Sequence, residues 1–221
     1  MPTPDRFKAD SKAAIVAAAE YLMAREGIAA VSMREIAVLA RQRNPSAAQY
    51  HFGSKAGLIE AIVDSRMGPI NERRGRILDQ LEVEGRGSDV TALVEALVIP
   101  LADATLERRG SHYARFLALS YTDPQWSAPA WRSQHGQTFE RWLKCLEGSL
   151  PGLPEDIRRL RIDRAVSTVV VEMARWEAGR GTRGLSRPAL IADLIDTTVA
   201  GLLAPASLLD PTTTPDSEAM A

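Results

Sequence analysis

The stretch "ARQRNPSAAQYHFGSK", residues 40–55, decides how the rest of the chain is read. It holds a crowded turn, a short run rich in hydrogen-bonding and aromatic side chains, and a lysine that opens a long apolar pattern. Asn44 and Pro45 predict a helix start, Asn as cap and Pro at the first helical position. Gly53 predicts its end after Phe52, and Ser54 the cap of the helix that follows. From Ser46 to Phe52 the chain has about two helical turns, roughly 10 Å, a length suited to a DNA major groove about 12 Å wide.

The side chains of this run contribute little to a core and much to a polar surface. Gln49 suits bidentate pairing with adenine, Ser46 and Tyr50 suit phosphate or a base edge, and Ala47 or Ala48 suits a thymine methyl. Lys55 falls in the first turn of the next helix, whose N–H groups and dipole favour a phosphate. The local charge agrees: residues 34–55 carry Arg34, Arg41, Arg43 and Lys55 against only Glu35, in a chain of net charge −1. Arg43 and Asn44 flank the turn, and Arg34 lies where a supporting helix crosses the DNA backbone; all three are candidate DNA contacts.

Upstream, Ile15, Val16, Ala19, Leu22 and Met23 form one stripe of a helix expected over 9–26, with Gly27 as its stop. Ser32 and Glu35 have capping-box spacing and open a short helix expected to end near 41. Three such helices, the last of them polar and short, make a helix-turn-helix module. Downstream, a long helix from 55 places Leu58, Ile59, Ile62, Val63, Met67 and Ile70 in register, with a kink expected at Gly68–Pro69 and a break at 84–89. Further helices are expected at 89–108, 111–121, 135–149, 154–178 and 187–204, and no segment alternates with period two. The fold class is therefore all-α. The domain reading is 1–54 for DNA binding and 55–204 for a second, larger helical domain. The Pro- and Thr-rich stretch 205–221 is expected to be a disordered tail.

With "SMREIAVLA" (32–40) and "QYHFGSKAGLIEAIV" (49–63), the N-terminal third resembles the tetracycline-repressor (TetR) family of transcription regulators. The resemblance implies phosphate or groove contacts for Tyr50, His51 and Lys55 and a core role for Phe52. It also implies a homodimer on a palindromic operator and a small-molecule effector bound by the C-terminal domain. Two departures stand out: the turn is one residue longer than usual, and Gln49 replaces a customary tyrosine.

The second half clusters His112, Tyr113, Phe116, Tyr121, Trp126, Trp131, His135, Phe139, Trp142, Met173 and Trp176. Singly, each aromatic at helical spacing reads as core. Together, in a domain expected to bind an effector, His112, Tyr113, Phe116, Trp126, Trp131, Phe139, Trp142, Met173 and Trp176 are candidates for an apolar pocket. The loop "TDPQWSAPAW" reads either as a lid or as a rigid connection. Val166 and Val170 on one helix, with Leu190, Leu194, Ile195, Thr198 and Leu202 on the last, are the candidate dimer interface, because two-sided apolar helices need two partners.

Other classes leave no trace. There is no G-x-S-x-G elbow, no phosphate-binding glycine loop and no H-E-x-x-H, so an enzyme is not expected. Cys145 is the single cysteine, and three histidines lack ligand spacing, so neither disulfide nor metal nor other cofactor is expected. The chain lacks a signal-peptide pattern and any long uncharged apolar run, which predicts a cytoplasmic protein with no membrane partner. A ligand-independent activator or architectural protein is the alternative reading, since the sign of regulation is not written in the chain.

Overall fold

The computed structural model describes residues 4–106, 111–126, 136–180 and 184–206. Among them every regular element is helical, and no helix is long and apolar enough to cross a membrane. The first helix, α1 (Pro4–Glu26), starts five residues before the expected position, with a proline where the first turn tolerates one. Gly27, at φ 91°, ends it and donates to the Met23 carbonyl at 3.1 Å.

The second helix, α2 (Met33–Leu39), begins with both halves of the capping box in place. The Ser32 N–H donates to Glu35 Oε2 at 2.7 Å, and the Glu35 N–H donates to Ser32 Oγ at 3.2 Å. It ends two residues before the expected 41 in a Schellman closure. The Gln42 N–H reaches the Ala37 carbonyl and the Arg41 N–H the Val38 carbonyl, each at 3.0 Å. Arg41 occupies the left-handed position at φ 53°, where glycine is usual.

The third helix, α3 (Ala47–Phe52), starts later than Asn44 and Pro45 suggest. Asn44 does not cap it: its side chain accepts from the Ser46 N–H at 2.9 Å, an Asx turn that finishes the inter-helix connection. Gly53, at φ 71°, then breaks the chain, and Ser54 Oγ accepts from the Gly57 N–H to open α4 (Lys55–Val83). The expected kink at Gly68–Pro69 does not interrupt this helix. Pro69 sits on its exposed side, where water can serve the Ser65 carbonyl that proline deprives of a donor.

The rest of the bundle is α5 (Val90–Leu106), α6 (Tyr113–Thr122), α7 (Gly136–Gly148), α8 (Glu155–Glu177) and α9 (Arg187–Leu203). All follow the expected helices to within a few residues. Residues 207–221 of the expected 205–221 tail, and most of the 122–135 loop with Trp131 and His135, lie outside the described residues.

The helix α5 is apolar around its girth and packs against α4, α7, α8 and α9, which makes it the axis of the larger bundle. One continuous core runs from Ile15 to Leu202. Trp142 is wholly buried and donates Nε1–H to the Leu93 carbonyl at 2.8 Å, so truncating it should cost about 3–5 kcal/mol.

The residues of the expected dimer face are packed within the single chain. Val166, Val170, Leu190, Leu194, Ile195, Thr198 and Leu202 are all buried within the single chain. Within the chain α8 packs against α5, α6, α7 and α9.

Candidate nucleic-acid interface and effector cavity

In the N-terminal module, α3 is held by its two alanines. Ala47 and Ala48 are buried against the α1, α2 and α4 core, which corrects the expectation that either would touch a thymine methyl. Their burial turns the opposite face outward. Tyr50 is 79% exposed, and Ser46 and Gln49 are exposed beside it. Gln49 donates to the Gly53 carbonyl, so its amide lies along the end of α3. His51 is half-buried and packs edge-on to Tyr50, with ring centroids 5.3 Å apart, and Phe52 leans on the core as expected.

Arg34, Arg43 and Asn44 are exposed, so α2, the turn and α3 form one polar, positively charged surface. Lys55 behaves differently. Its ammonium donates to the carbonyls of Ile28 at 2.9 Å and Ala29 at 3.1 Å, and it lies 5.6 Å from the Trp126 ring centroid. Partial burial pushes its pKa below the ordinary lysine value, with Glu35 acting in the opposite direction. Lys55 therefore clamps the end of α1 to the start of α4.

Between the module and the bundle runs a polar chain that the sequence did not announce. Glu20 on α1, 3% exposed, accepts two bonds from Arg66 on α4, at 2.6 and 3.0 Å, and one from the His112 N–H at 3.4 Å. The His112 ring lies against Tyr21, and its Nδ1 is 2.8 Å from Arg115 Nη2. Glu177 of α8 then accepts from the Ala114 and Arg115 N–H groups at 3.2 and 3.0 Å, satisfying the open start of α6. Only helical register across several elements brings these residues together, so no local spacing marks them.

In the larger bundle a cavity, partly open to solvent, lies between α4, α5, α6, α7 and α8. Of the expected pocket residues that are described, only Phe139 lines it. Tyr113, Phe116, Trp142 and Met173 are core, Trp126 is buried at the junction with α4, and Trp176 and His112 pack outside the cavity. The physical reason is size: large rings fill the interior and leave the void to be bounded by Val63, Met67, Leu97, Leu101, Leu117, Val166 and Val170. Its polar lining is Asn71, Arg74, Ser120 and Tyr121.

Arg74, 1% exposed, is the one charged side chain among the described lining residues. Its Nε–H donates to the Ala96 carbonyl at 3.2 Å, and Nη1 donates to Asn71 Oδ1. Pro100 lies four residues after Ala96 and supplies no N–H, so the Ala96 carbonyl is free to accept from a side chain. Burial pushes the Arg74 pKa down to about 10, against a smaller opposing effect from Tyr113, so it stays charged near neutrality.

A tri-helical module with an exposed polar third helix, joined through one long helix to a cavity-bearing bundle, defines the all-helical class of helix-turn-helix regulators. The chain belongs to the TetR family: residues 15–62 match the model of bacterial regulatory proteins of the tetR family, and residues 95–204 match that of the tetracyclin repressor-like C-terminal domain. Among solved structures it is similar to NalD of Pseudomonas aeruginosa, the secondary repressor of the MexAB-OprM multidrug efflux pump. That similarity has a TM-score of 0.57 at 17% identity and covers 88% of this chain and 96% of that one. A putative TetR-family regulator from Mesorhizobium loti is 21% identical over 89% of this chain and 96% of that one, with a TM-score of 0.49. No curated protein matches the chain.

Proposed function

We propose that the protein is a dimeric repressor, released from a palindromic operator by a small, largely apolar effector. The observation that carries this is the unbroken α4, which begins at Lys55 beside α3 and continues through Arg74 on the cavity wall. An effector that reshapes the cavity acts on the same continuous helix that sets the attitude of the recognition helix, and shifts the population between two arrangements. In this reading Arg34, Arg43, Asn44, Ser46, Gln49, Tyr50 and His51 meet the DNA, while Lys55 acts by positioning, since its ammonium is engaged with Ile28 and Ala29.

Dimerisation uses the outward faces of α8 and α9. Leu160, Arg164, Thr168, Val171 and Arg175 form an exposed stripe on α8, and Ala189, Asp193, Asp196, Ala200 and Leu203 one on α9. Their apolar and small residues allow close approach, and arginines on one helix complement aspartates on the other across a two-fold axis. Two recognition helices then read half-sites about one DNA turn apart.

The test is selection of genomic fragments by the purified protein, followed by titration of any enriched sequence at several salt concentrations. A palindrome bound with a steep salt slope supports the reading, and purely sequence-independent binding overturns it.

A further inference from the structure

Arg74 combines three properties that rarely coincide. It is almost completely buried, it lines the cavity, and no carboxylate pairs with it among the described residues. Its Nε and Nη1 are held by neutral acceptors, Ala96 and Asn71, while Nη2 finds no acceptor among the described residues. Phe139 places its ring 5.6 Å from the guanidinium carbon, a further neutral contact. Tyr113 is near enough to feel the charge, but burial raises its pKa, so its phenol is neutral and supplies no counter-charge.

An isolated buried cation is costly unless something pairs with it. A fold with no such need would place an aliphatic side chain at this position. The two neutral acceptors orient the guanidinium, no described residue compensates its charge, and the rest of the wall is predominantly aliphatic. Such a wall desolvates a hydrocarbon body, and the fork of Arg74 suits a planar two-oxygen anion.

We propose that the effector is an amphipathic monoanion, an alkyl or aryl carboxylate whose head group pairs with Arg74 and whose apolar body fills the cavity. Bound in this way, the anion supplies the missing counter-charge to α4 itself. This rests on the effector-cavity reading above and adds the chemical class.

The experiment is calorimetric titration of the full-length protein with straight-chain carboxylates from hexanoate to tetradecanoate and with 1-naphthoate, each compared with its primary amide and alcohol. We expect at least one carboxylate to bind about tenfold or more tightly than its neutral isosteres, as a charge-assisted bidentate contact implies. In Arg74→Met the preference should fall to about one, and the ligand-free variant should melt no lower than the parent, because an uncompensated buried charge is gone. Arg74→Lys, which keeps the charge, should retain part of the preference. If neutral isosteres bind as well as the acids, the anion assignment fails and the effector cavity stands. If no compound binds, while operator binding is intact, both fail. The comparison within the parent protein decides the matter even if Arg74→Met does not fold.

Discussion

The Glu20 carboxylate grips the Arg66 guanidinium through two hydrogen bonds, at 2.6 and 3.0 Å, fastening α1 of the DNA-binding module to α4. Glu20 is buried and Arg66 mostly so, with side-chain exposures of 4% and 22%. Arg66→Met therefore strands a buried carboxylate and should lower stability by about 3 kcal/mol. In urea denaturation the double variant with Glu20→Gln should recover part of that loss. Strictly additive losses would mean that the two residues do not act as a pair.

Arg41 should be replaceable with profit. At its left-handed φ a side chain is strained, so Arg41→Gly should raise stability by roughly 0.5–1 kcal/mol, measured by thermal or chemical melting. A loss would show that the guanidinium makes a contact worth more than the strain.

Tyr50 and Gly57 should separate reading from support. Tyr50→Ala removes a side chain that is 79% exposed, so operator affinity should fall by about 1–3 kcal/mol with no change in melting temperature. At Gly57 an added Cβ would overlap the Phe52 carbonyl oxygen, so Gly57→Ala should displace the end of α3 and lower both affinity and stability. A Tyr50→Ala protein that bound the operator normally would remove Tyr50 from the interface.

Subunit association should respond to the outer stripes and not to the inner ones. Val171→Glu with Ala200→Glu should give a folded monomer by light scattering and circular dichroism. Leu194→Glu should instead unfold the chain, because Leu194 is 3% exposed within it. A Val171→Glu, Ala200→Glu protein that remained dimeric would place the interface elsewhere.

Acid should loosen the start of α2. The bonds from Ser32 hold the Glu35 pKa below its ordinary value, so the carboxylate's contribution is complete above the unfolded-state pKa and is lost as pH falls through the lower folded-state one. Glu35→Gln should flatten that part of the stability profile. An unchanged acid limb would mean that the cap contributes nothing measurable.

What could be read from the chain was whatever is encoded locally. Ser32 with Glu35, Gly27, Gly53 and Ser54 are neighbours in sequence as well as in space, and each of these stops and caps appears where its spacing puts it. The helical stripes likewise showed that Leu194 and Val170 face apolar surroundings. They did not show whose, since periodicity reports burial and carries no label for the chain that provides it. The lining of the cavity is hidden in sequence for a related reason. Aromatic residues attract notice, yet Trp142 and Phe116 fill space, and the void is bounded by smaller aliphatics that look ordinary in sequence. Arg74 was illegible because its meaning depends on Pro100 and Asn71, one of them on another helix, and on there being no acid beside it among the described residues.

The unbroken course of α4 has a mechanical consequence. Arg74 and Lys55 are separated by about 28 Å of helix at 1.5 Å per residue. With the cavity end as pivot, a tilt of about 5° sweeps the first turn through roughly 2.5 Å, close to the length of a hydrogen bond. Helical rods of this kind work as displacement multipliers. A guest that shifts the cavity wall by a fraction of an ångström can thereby misalign a reading head by a full contact distance, and the gain is set by the number of turns between them.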